Sequence, residues 1–133
     1  MPILSGHARL AGILGWPVSH SRSPLLHGTW LERHRIDGAY MPLPVHPDRF
    51  AAAVRSLRDL GFRGANVTIP HKEAAFAVCD EVDATARRAG AVNTLAFRTD
   101  GTIHGANTDG WGFLENIRAA RPGWSAASGP AVL

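Results

Sequence analysis

Hydrophobic residues follow two alternating spacings through the first part of the chain. Short apolar runs predict strands, and runs with a three-to-four-residue spacing predict helices. The predicted order is strand 9–17, helix 23–36, strand 38–45, helix 46–61, strand 64–69 and helix 70–79. Such an alternation of strands and helices indicates a mainly parallel sheet that is covered by helices.

Glycine and proline residues mark the ends of these elements. Gly15 and Pro17 close the first strand, and Gly61 stops the second helix. Pro42 and Pro44 lie within the second predicted strand. Because proline has no N–H group to donate to a neighbouring strand, this strand is predicted to lie at an edge of the sheet.

The pattern changes after the third helix. Residues 80–90 predict one or two further helical turns, 91–108 predict two strands joined by a turn at Asp100-Gly101, and 109–120 predict a last helix. The first and last helices each carry large apolar residues on one face, namely Leu25, Leu26, Trp30 and Leu31 in the first and Phe113, Leu114 and Ile117 in the last. The predicted fold class is therefore α/β, a mainly parallel but mixed sheet with helices on both faces.

The tail has a different composition. Residues 121–130, RPGWSAASGP, are typical of a linker, and the final AVL resembles the opening of a buried strand. We predict a domain over 1–121, and a linker with the first strand of a second domain over 122–133. A chain that ends on the first residues of a strand is typical of a truncated or incompletely recorded sequence.

Composition narrows the class of protein. The chain has 133 residues, of which 45% are hydrophobic and 19% charged, as in a soluble globular domain. Its net charge of +3 is spread among carboxylates, so we predict no nucleic-acid partner, and its apolar runs are too short for a membrane span. The single cysteine, Cys79, fits a packing residue in a reducing cytoplasm.

Lys72 is the polar residue that most needs a reason. Pro70 suits the first position of a helix, which places Lys72 in the first helical turn. The positive end of the helix dipole disfavours a cation there. Lys72 is either an ordinary solvated lysine or a group placed to exchange a proton with a ligand.

Two serines precede the first helix. Ser23 followed by Pro24 predicts a helix N-cap with proline at the first helical position. That explanation does not cover Ser21. Two hydroxyl groups beside free helix N–H groups suit a carboxylate or several ligand hydroxyls, and the alternative is capping and loop chemistry.

Four further polar residues lie at predicted element ends. Asn66 could satisfy a turn, Thr68 could cap the helix after it, Asn93 could bond a loop carbonyl, and Asp109 could be an N-cap. Their functional alternative is contact with ligand hydroxyls, with the Asp109 carboxylate holding the Lys72 ammonium. The seven histidines show no metal-binding spacing, so we predict no metal site. The sequence also has no glycine-rich loop of the kind that binds phosphate groups.

Four segments, read in order, resemble one family. GWPVSHSRSP, GANVTIPHK, AGAVNT and GANTDGWG resemble the N-terminal substrate-binding domain of the shikimate dehydrogenase family, from about Leu10 to the end of the chain. The resemblance implies an NADPH-dependent, reversible reduction of 3-dehydroshikimate to shikimate in aromatic amino-acid biosynthesis. It also implies that Lys72 is the acid/base group and that Asp109 is its partner.

The resemblance implies substrate contacts as well. Ser21 and Ser23 would hold the substrate carboxylate. The ring hydroxyls of the substrate would be contacted by Thr68, Asn93 and Asp109. Asn66 is a weaker candidate for the same contact. In relatives that favour quinate the second hydroxyl position is commonly altered, so two serines favour shikimate.

The resemblance covers only a substrate domain. In the family a Rossmann domain follows and binds NADP; it is absent from this chain, which therefore has no predicted cofactor-binding residues and is expected to be inactive alone. An isolated half would expose an apolar face and could self-associate as a homodimer. The alternatives are a quinate/shikimate dehydrogenase and a non-catalytic binding module for a polyhydroxy carboxylate.

Overall fold

Six strands form one sheet in residues 3–130, the part of the chain that the computed structural model describes. The elements are β1 Arg9–Gly15, α1 Ser23–Arg33, β2 Gly38–Pro44, a 3-10 turn Pro47–Arg49, α2 Phe50–Asp59, β3 Gly64–Val67, α3 Lys72–Val78, β4 Glu81–Val82, α4 Ala84–Ala89, β5 Thr94–Phe97, β6 Ile103–Ala106 and α5 Asp109–Ala120. The predicted final strand, 131–133, lies outside the described residues.

The sheet is mixed, and its strand order is β2-β1-β3-β5-β6-β4. β1 is parallel to β2 and β3, β4 is parallel to β6, and β5 is antiparallel to β3 and β6. The predicted mixed α/β sheet is confirmed, as is the edge position of β2, which contains Pro42 and Pro44. Gly64 lets β3 approach β5 because a Cβ atom there would collide with the carbonyl oxygen of Leu95.

Helices lie on both faces of the sheet, and one face carries the main core. Phe50 and Val54 of α2 are buried there against Leu14 of β1, together with residues of α3 and α4. On β2, Leu43 packs against this core, whereas the Tyr40 ring stacks on α1. Because side chains alternate along a strand, α1 lies on the opposite face from α2.

The predicted apolar faces of the first and last helices are not buried. In α1, 70% of Leu25 is exposed, and in α5, 68% of Phe113 is exposed, whereas Leu114 and Ile117 are half-buried. Neither helix has a buried residue. The apolar spacing therefore identified the helices correctly, but these faces remain accessible.

Two helix starts differ from the prediction. Arg22 occupies the N-cap position of α1, Ser23 is the first residue of the helix, and the Ser21 Oγ accepts the Ser23 N–H at 3.3 Å. α3 begins at Lys72 and not at Pro70. The His71 N–H donates to the Thr68 carbonyl at 2.9 Å, so a turn occupies the predicted helix start.

The segment 80–90 is only partly helical. β4 is a two-residue strand paired with β6, and α4 follows it with Asp83 as N-cap. The Asp83 carboxylate accepts the Ala86 N–H at 2.6 Å, and Gly90 ends the helix with a φ of 62°. Among residues 3–130, no helix is long and apolar enough to span a bilayer.

His71 is expected to make the fold acid-sensitive. Its ring is 1% exposed, stacks on Phe50 with centroids 4.6 Å apart, and donates from Nε2 to the Val45 carbonyl at 2.8 Å. Burial lowers the pKa of His71 from 6.5, so the unfolded chain binds more protons than the folded chain as pH falls below 6.5. The free energy of unfolding should therefore decrease from pH 7 to pH 5, measured by urea denaturation.

His71→Phe separates this effect from general acid sensitivity. The variant keeps a ring against Phe50 but has no proton to gain, so its stability should depend less on pH than that of the unmodified chain. His20→Gln, at an exposed position, is the control and should leave the pH dependence unchanged. Equal slopes for His71→Phe and the unmodified chain would contradict the assignment.

Candidate active site

Six of the seven predicted site residues lie where strands of the sheet begin or end, and the seventh, Asn66, lies within β3. Since β1, β3 and β6 run in one direction and β5 runs against them, the carboxyl ends of the first three meet the amino end of β5. Ligands of open α/β sheets bind at such an edge. Ser21 and Ser23 follow β1, Thr68 and Lys72 follow β3, Asn93 precedes β5 and Asp109 follows β6.

Lys72 and Asp109 form an ion pair at this edge. The Lys72 Nζ donates to the Asp109 Oδ2 at 2.5 Å, and 33% of the lysine and 52% of the aspartate side chain remain accessible. Each is the first residue of its helix, α3 or α5. The carboxylate offsets the unfavourable position of the lysine at a helix N-terminus, and the accessible atoms can meet a ligand.

Asn93 holds the second oxygen of Asp109. Its Nδ2 donates to Asp109 Oδ1 at 3.0 Å and to Thr108 Oγ1 at 2.9 Å, and its Oδ1 accepts the Thr108 N–H at 3.2 Å. The Asp109 N–H in turn donates to Asn107 Oδ1 at 3.0 Å. The carboxylate is therefore fixed through both oxygens, one toward Asn93 and the other toward Lys72.

Asn66 lies within β3, where its carboxamide bridges three strands. Its Oδ1 accepts the Tyr40 hydroxyl of β2 at 2.7 Å. Its Nδ2 donates to Thr94 Oγ1 at 3.2 Å and to the Asn93 carbonyl at 3.4 Å. Asn66 is thus a link in the sheet that supports Asn93, and its Nδ2 hydrogens are already engaged.

Tyr40 is a site residue that the sequence did not reveal. Its hydroxyl also lies beside the Ser23 hydroxyl, and burial raises the pKa of Tyr40 to about 12 although the Ser23 contact acts in the opposite direction. The available signal was a tyrosine, the only one in the chain, in the middle of a strand. A half-buried tyrosine hydroxyl usually has a hydrogen-bond partner.

The hydroxyl groups of Ser21 and Thr68 retain capacity for a ligand. Ser21 Oγ accepts the Ser23 N–H, which leaves its own hydrogen free. The Thr68 N–H donates to the Leu14 carbonyl at 2.9 Å. The Thr68 hydroxyl makes no hydrogen bond to residues 3–130. No direct bond joins either residue to the Lys72–Asp109 pair within this part of the chain.

The structure therefore arranges the predicted residues in two groups. The first group contains the charged pair, Lys72 and Asp109, with Asn93. The second group consists of the two serines, Ser21 and Ser23. Tyr40 lies between them, because its hydroxyl donates to Asn66 Oδ1 and its ring stacks on His27 of α1, the helix that begins at Ser23. Such an edge can bind a ligand that carries an anionic end and a reactive oxygen.

Two other chemistries find no support in the described residues. Within 3–130, no group of three or more His, Cys, Asp or Glu side chains is placed to hold a metal ion. Cys79 packs against the core, as predicted, and its Sγ donates to the Ala75 carbonyl at 3.1 Å. Burial raises the pKa of Cys79 to about 11, which disfavours the reactive thiolate.

Comparison with known proteins gives consistent results. Residues 13–95 match the family model described as the shikimate dehydrogenase substrate binding domain. The chain is 70% identical over 131 residues to the shikimate dehydrogenase (NADP(+)) of Acidiphilium cryptum, covering 98% of this chain and 46% of that protein. The corresponding enzyme of Paramagnetospirillum magneticum is 59% identical over 130 residues, with 98% and 47% covered.

A solved structure shares the fold. The crystal structure of shikimate dehydrogenase from Aquifex aeolicus superimposes with a TM-score of 0.86 at 32% identity, covering 90% of this chain and 45% of that one. The chain thus spans about half the length of the relatives that it matches. Six of the predicted site residues lie within the matched range 13–95, and Asp109 lies beyond it.

Proposed function

Because the chain belongs to the shikimate dehydrogenase family, we propose that it is the substrate-binding part of an NADP-dependent enzyme that interconverts 3-dehydroshikimate and shikimate. The observation that carries the proposal is the Lys72–Asp109 pair, held at the ligand-binding edge of the sheet and still accessible. Reduction of a ketone needs a proton donor near the developing alkoxide. A lysine ammonium supplies both that proton and a stabilising charge.

In the proposed mechanism Lys72 gives its proton to the carbonyl oxygen of 3-dehydroshikimate. In the oxidation of shikimate the neutral amine takes the proton back from the hydroxyl group. Asp109, fixed by Asn93, keeps the Lys72 Nζ in one position through both directions. Asp109, half of whose side chain is accessible, would accept a hydrogen bond from a neighbouring ring hydroxyl. Asn93 would meet another ring hydroxyl in exchange for one of its bonds to Thr108.

The substrate carboxylate would lie at the start of α1. Ser21 and Ser23 offer hydroxyl groups there, next to N–H groups of the first helical turn. A carboxylate is favoured at such a position by both hydrogen bonding and the helix dipole. The unbonded hydroxyl of Thr68 is a third donor for the substrate.

The nicotinamide cofactor requires residues beyond this chain. Residues 3–130 contain no glycine-rich turn between a strand and a helix of the kind that binds a dinucleotide, so they do not fit NADP. We propose that 1–121 form the substrate domain and that 122–133 lead into a dinucleotide-binding domain. NADP would exchange a hydride with the substrate carbon, and this chain alone would not turn over.

Cellular context and assembly complete the proposal. A biosynthetic role with a single cysteine, Cys79, is consistent with the cytoplasm. The exposed apolar side chains of α1 and α5 would allow a homodimer or contact with a second domain.

Initial rates test the proposed reaction. The protein that joins this chain to its dinucleotide-binding domain should oxidise shikimate with NADP faster than it oxidises quinate with either NADP or NAD. Equal or higher rates with quinate would indicate a quinate/shikimate dehydrogenase. Binding of shikimate without any turnover would indicate a non-catalytic module and would overturn the proposal.

Ser21→Ala is expected to weaken substrate binding. Loss of a hydrogen bond to a carboxylate should raise the KM for shikimate by about tenfold or more, with kcat changed much less. Ser19→Ala is the matched control, since Ser19 is an exposed serine of the same loop. An unchanged KM in Ser21→Ala would remove Ser21 from the carboxylate site.

A further inference from the structure

Tyr40 is the residue through which the two groups of the site are connected. Its ring stacks on the His27 ring of α1, with centroids 4.0 Å apart and planes inclined by 4°. Burial lowers the pKa of His27, so the stacked imidazole is neutral near pH 7. His27 lies one helical turn after Ser23, so the ring and the hydroxyl of Tyr40 contact the same face of α1.

The hydroxyl of Tyr40 has a defined hydrogen-bonding role. It donates its single hydrogen to Asn66 Oδ1 at 2.7 Å. This donation orients the Asn66 carboxamide, because an acceptor facing Tyr40 turns Nδ2 toward the Asn93 carbonyl. Asn93 is the residue that holds Asp109.

We propose that Tyr40 is a positioning residue that couples α1, whose first residue is Ser23 at the carboxylate end of the site, to Asn66 and Asn93 beside the Lys72–Asp109 pair. The inference rests on the proposed function, because it assigns Ser23 and Asn93 to substrate contacts. Tyr40 does not touch the reacting atoms. Tyr40 sets the distance between the serines that bind the substrate carboxylate and the Lys72–Asp109 pair that transfers the proton.

The packing of α1 explains why such a connection is needed. No residue of α1 is buried, and its large apolar side chains are mostly exposed. The position of its first turn relative to β3 therefore depends on contacts to β2 and β1, among them the stack of His27 on Tyr40. Loss of the hydroxyl would remove the donor to Asn66 Oδ1 while the stack on His27 remains.

Tyr40→Phe in the protein with its dinucleotide-binding domain tests the inference by kinetics. The variant removes one oxygen and keeps the ring against His27. We expect the KM for shikimate to rise about three- to tenfold while kcat stays within about twofold, as for loss of a neutral hydrogen bond used in binding. Thr29→Val is the control, since among residues 3–130 the Thr29 hydroxyl bonds only the Leu25 carbonyl of its own helix, and the KM of this variant should be unchanged.

A ligand-free measurement separates this inference from the proposed function. The side-chain amide NMR signals of Asn66, assigned by their loss in Asn66→Ser, should shift in Tyr40→Phe and stay in place in Thr29→Val. If the unmodified protein does not oxidise shikimate, the proposed function fails, but these signals still show whether Tyr40 orients Asn66. Unshifted Asn66 signals, or a KM within twofold of the unmodified protein, would overturn the role of Tyr40.

Discussion

Lys72→Ala should lower kcat for shikimate oxidation by on the order of 10² to 10⁴-fold, the usual contribution of a general acid or base. The KM should change by less than about tenfold, because the carboxylate end of the substrate is bound elsewhere. The 2.5 Å contact with Asp109 is lost as well, so part of the effect is electrostatic. Initial rates over a range of shikimate concentrations with saturating NADP measure both constants.

Lys72→Arg separates the two contributions. Arginine keeps the positive charge and the pairing with Asp109, but its guanidinium does not release a proton in a protein. It should therefore be nearly as impaired as alanine if proton transfer is the role of Lys72. Glu73→Gln, at the next and exposed position of α3, is the control and should retain normal rates. A kcat within about tenfold of normal in Lys72→Ala would refute the acid/base assignment.

Asp109→Asn should lower kcat/KM by on the order of 10²-fold, since it leaves a charged partner without its counter-ion. The carboxylate accepts from Lys72 Nζ with one oxygen and from Asn93 Nδ2 with the other. A carboxamide has a single acceptor oxygen, so one of the two donors must face an NH₂ group. The N-terminus of α5 also loses a negative charge.

Steady-state kinetics of Asp109→Asn can be compared with a matched change in the same helix. Glu115 forms an ion pair with Arg118 at 2.6 Å on the surface of α5, and pairs of this kind contribute little. Glu115→Gln should therefore leave kcat/KM unchanged. If Asp109→Asn stayed within about fivefold of the unmodified protein, Asp109 would not be the partner that positions Lys72.

Most of the fold could be predicted from the sequence because the spacing of apolar residues and the positions of glycine and proline indicated the same elements. The prolines of β2 identified an edge strand, and Asp100-Gly101 identified the hairpin turn, where Gly101 has a φ of 85°. The first residues of the helices were harder to predict. Whether Ser21 or Ser23 interacts with the first helical N–H groups depends on one hydrogen bond, and a serine can serve at either place.

β4 could not be predicted for a different reason. Two residues, Glu81 and Val82, are too few to show a period. They form a strand only because β6 lies beside them, and β6 follows more than twenty positions later in the chain. The exposed faces of α1 and α5 could not be predicted either, because the spacing of apolar residues defines a helix face but does not show what packs against it.

The members of the candidate site were visible in the sequence, but their contacts were not. Polar residues at strand ends could be named one by one. The pairing of Lys72 with Asp109, 37 residues apart, depends on β5 and β6 inserting next to β3. The bond between Tyr40 and Asn66 passes across β1, which no local pattern predicts.

The strand order also determines when the site is assembled as the chain folds. β5 and β6 form a hairpin, a local step of about 1–10 μs, which brings Asn93 to Asp109 across only 16 residues. Lys72 arrives when β3 pairs with β5, a longer loop closure with a higher entropic cost. We therefore expect the acidic half of the ion pair to be in place first, and a transient opening between β3 and β5 to separate Lys72 from Asp109 while the hairpin stays folded.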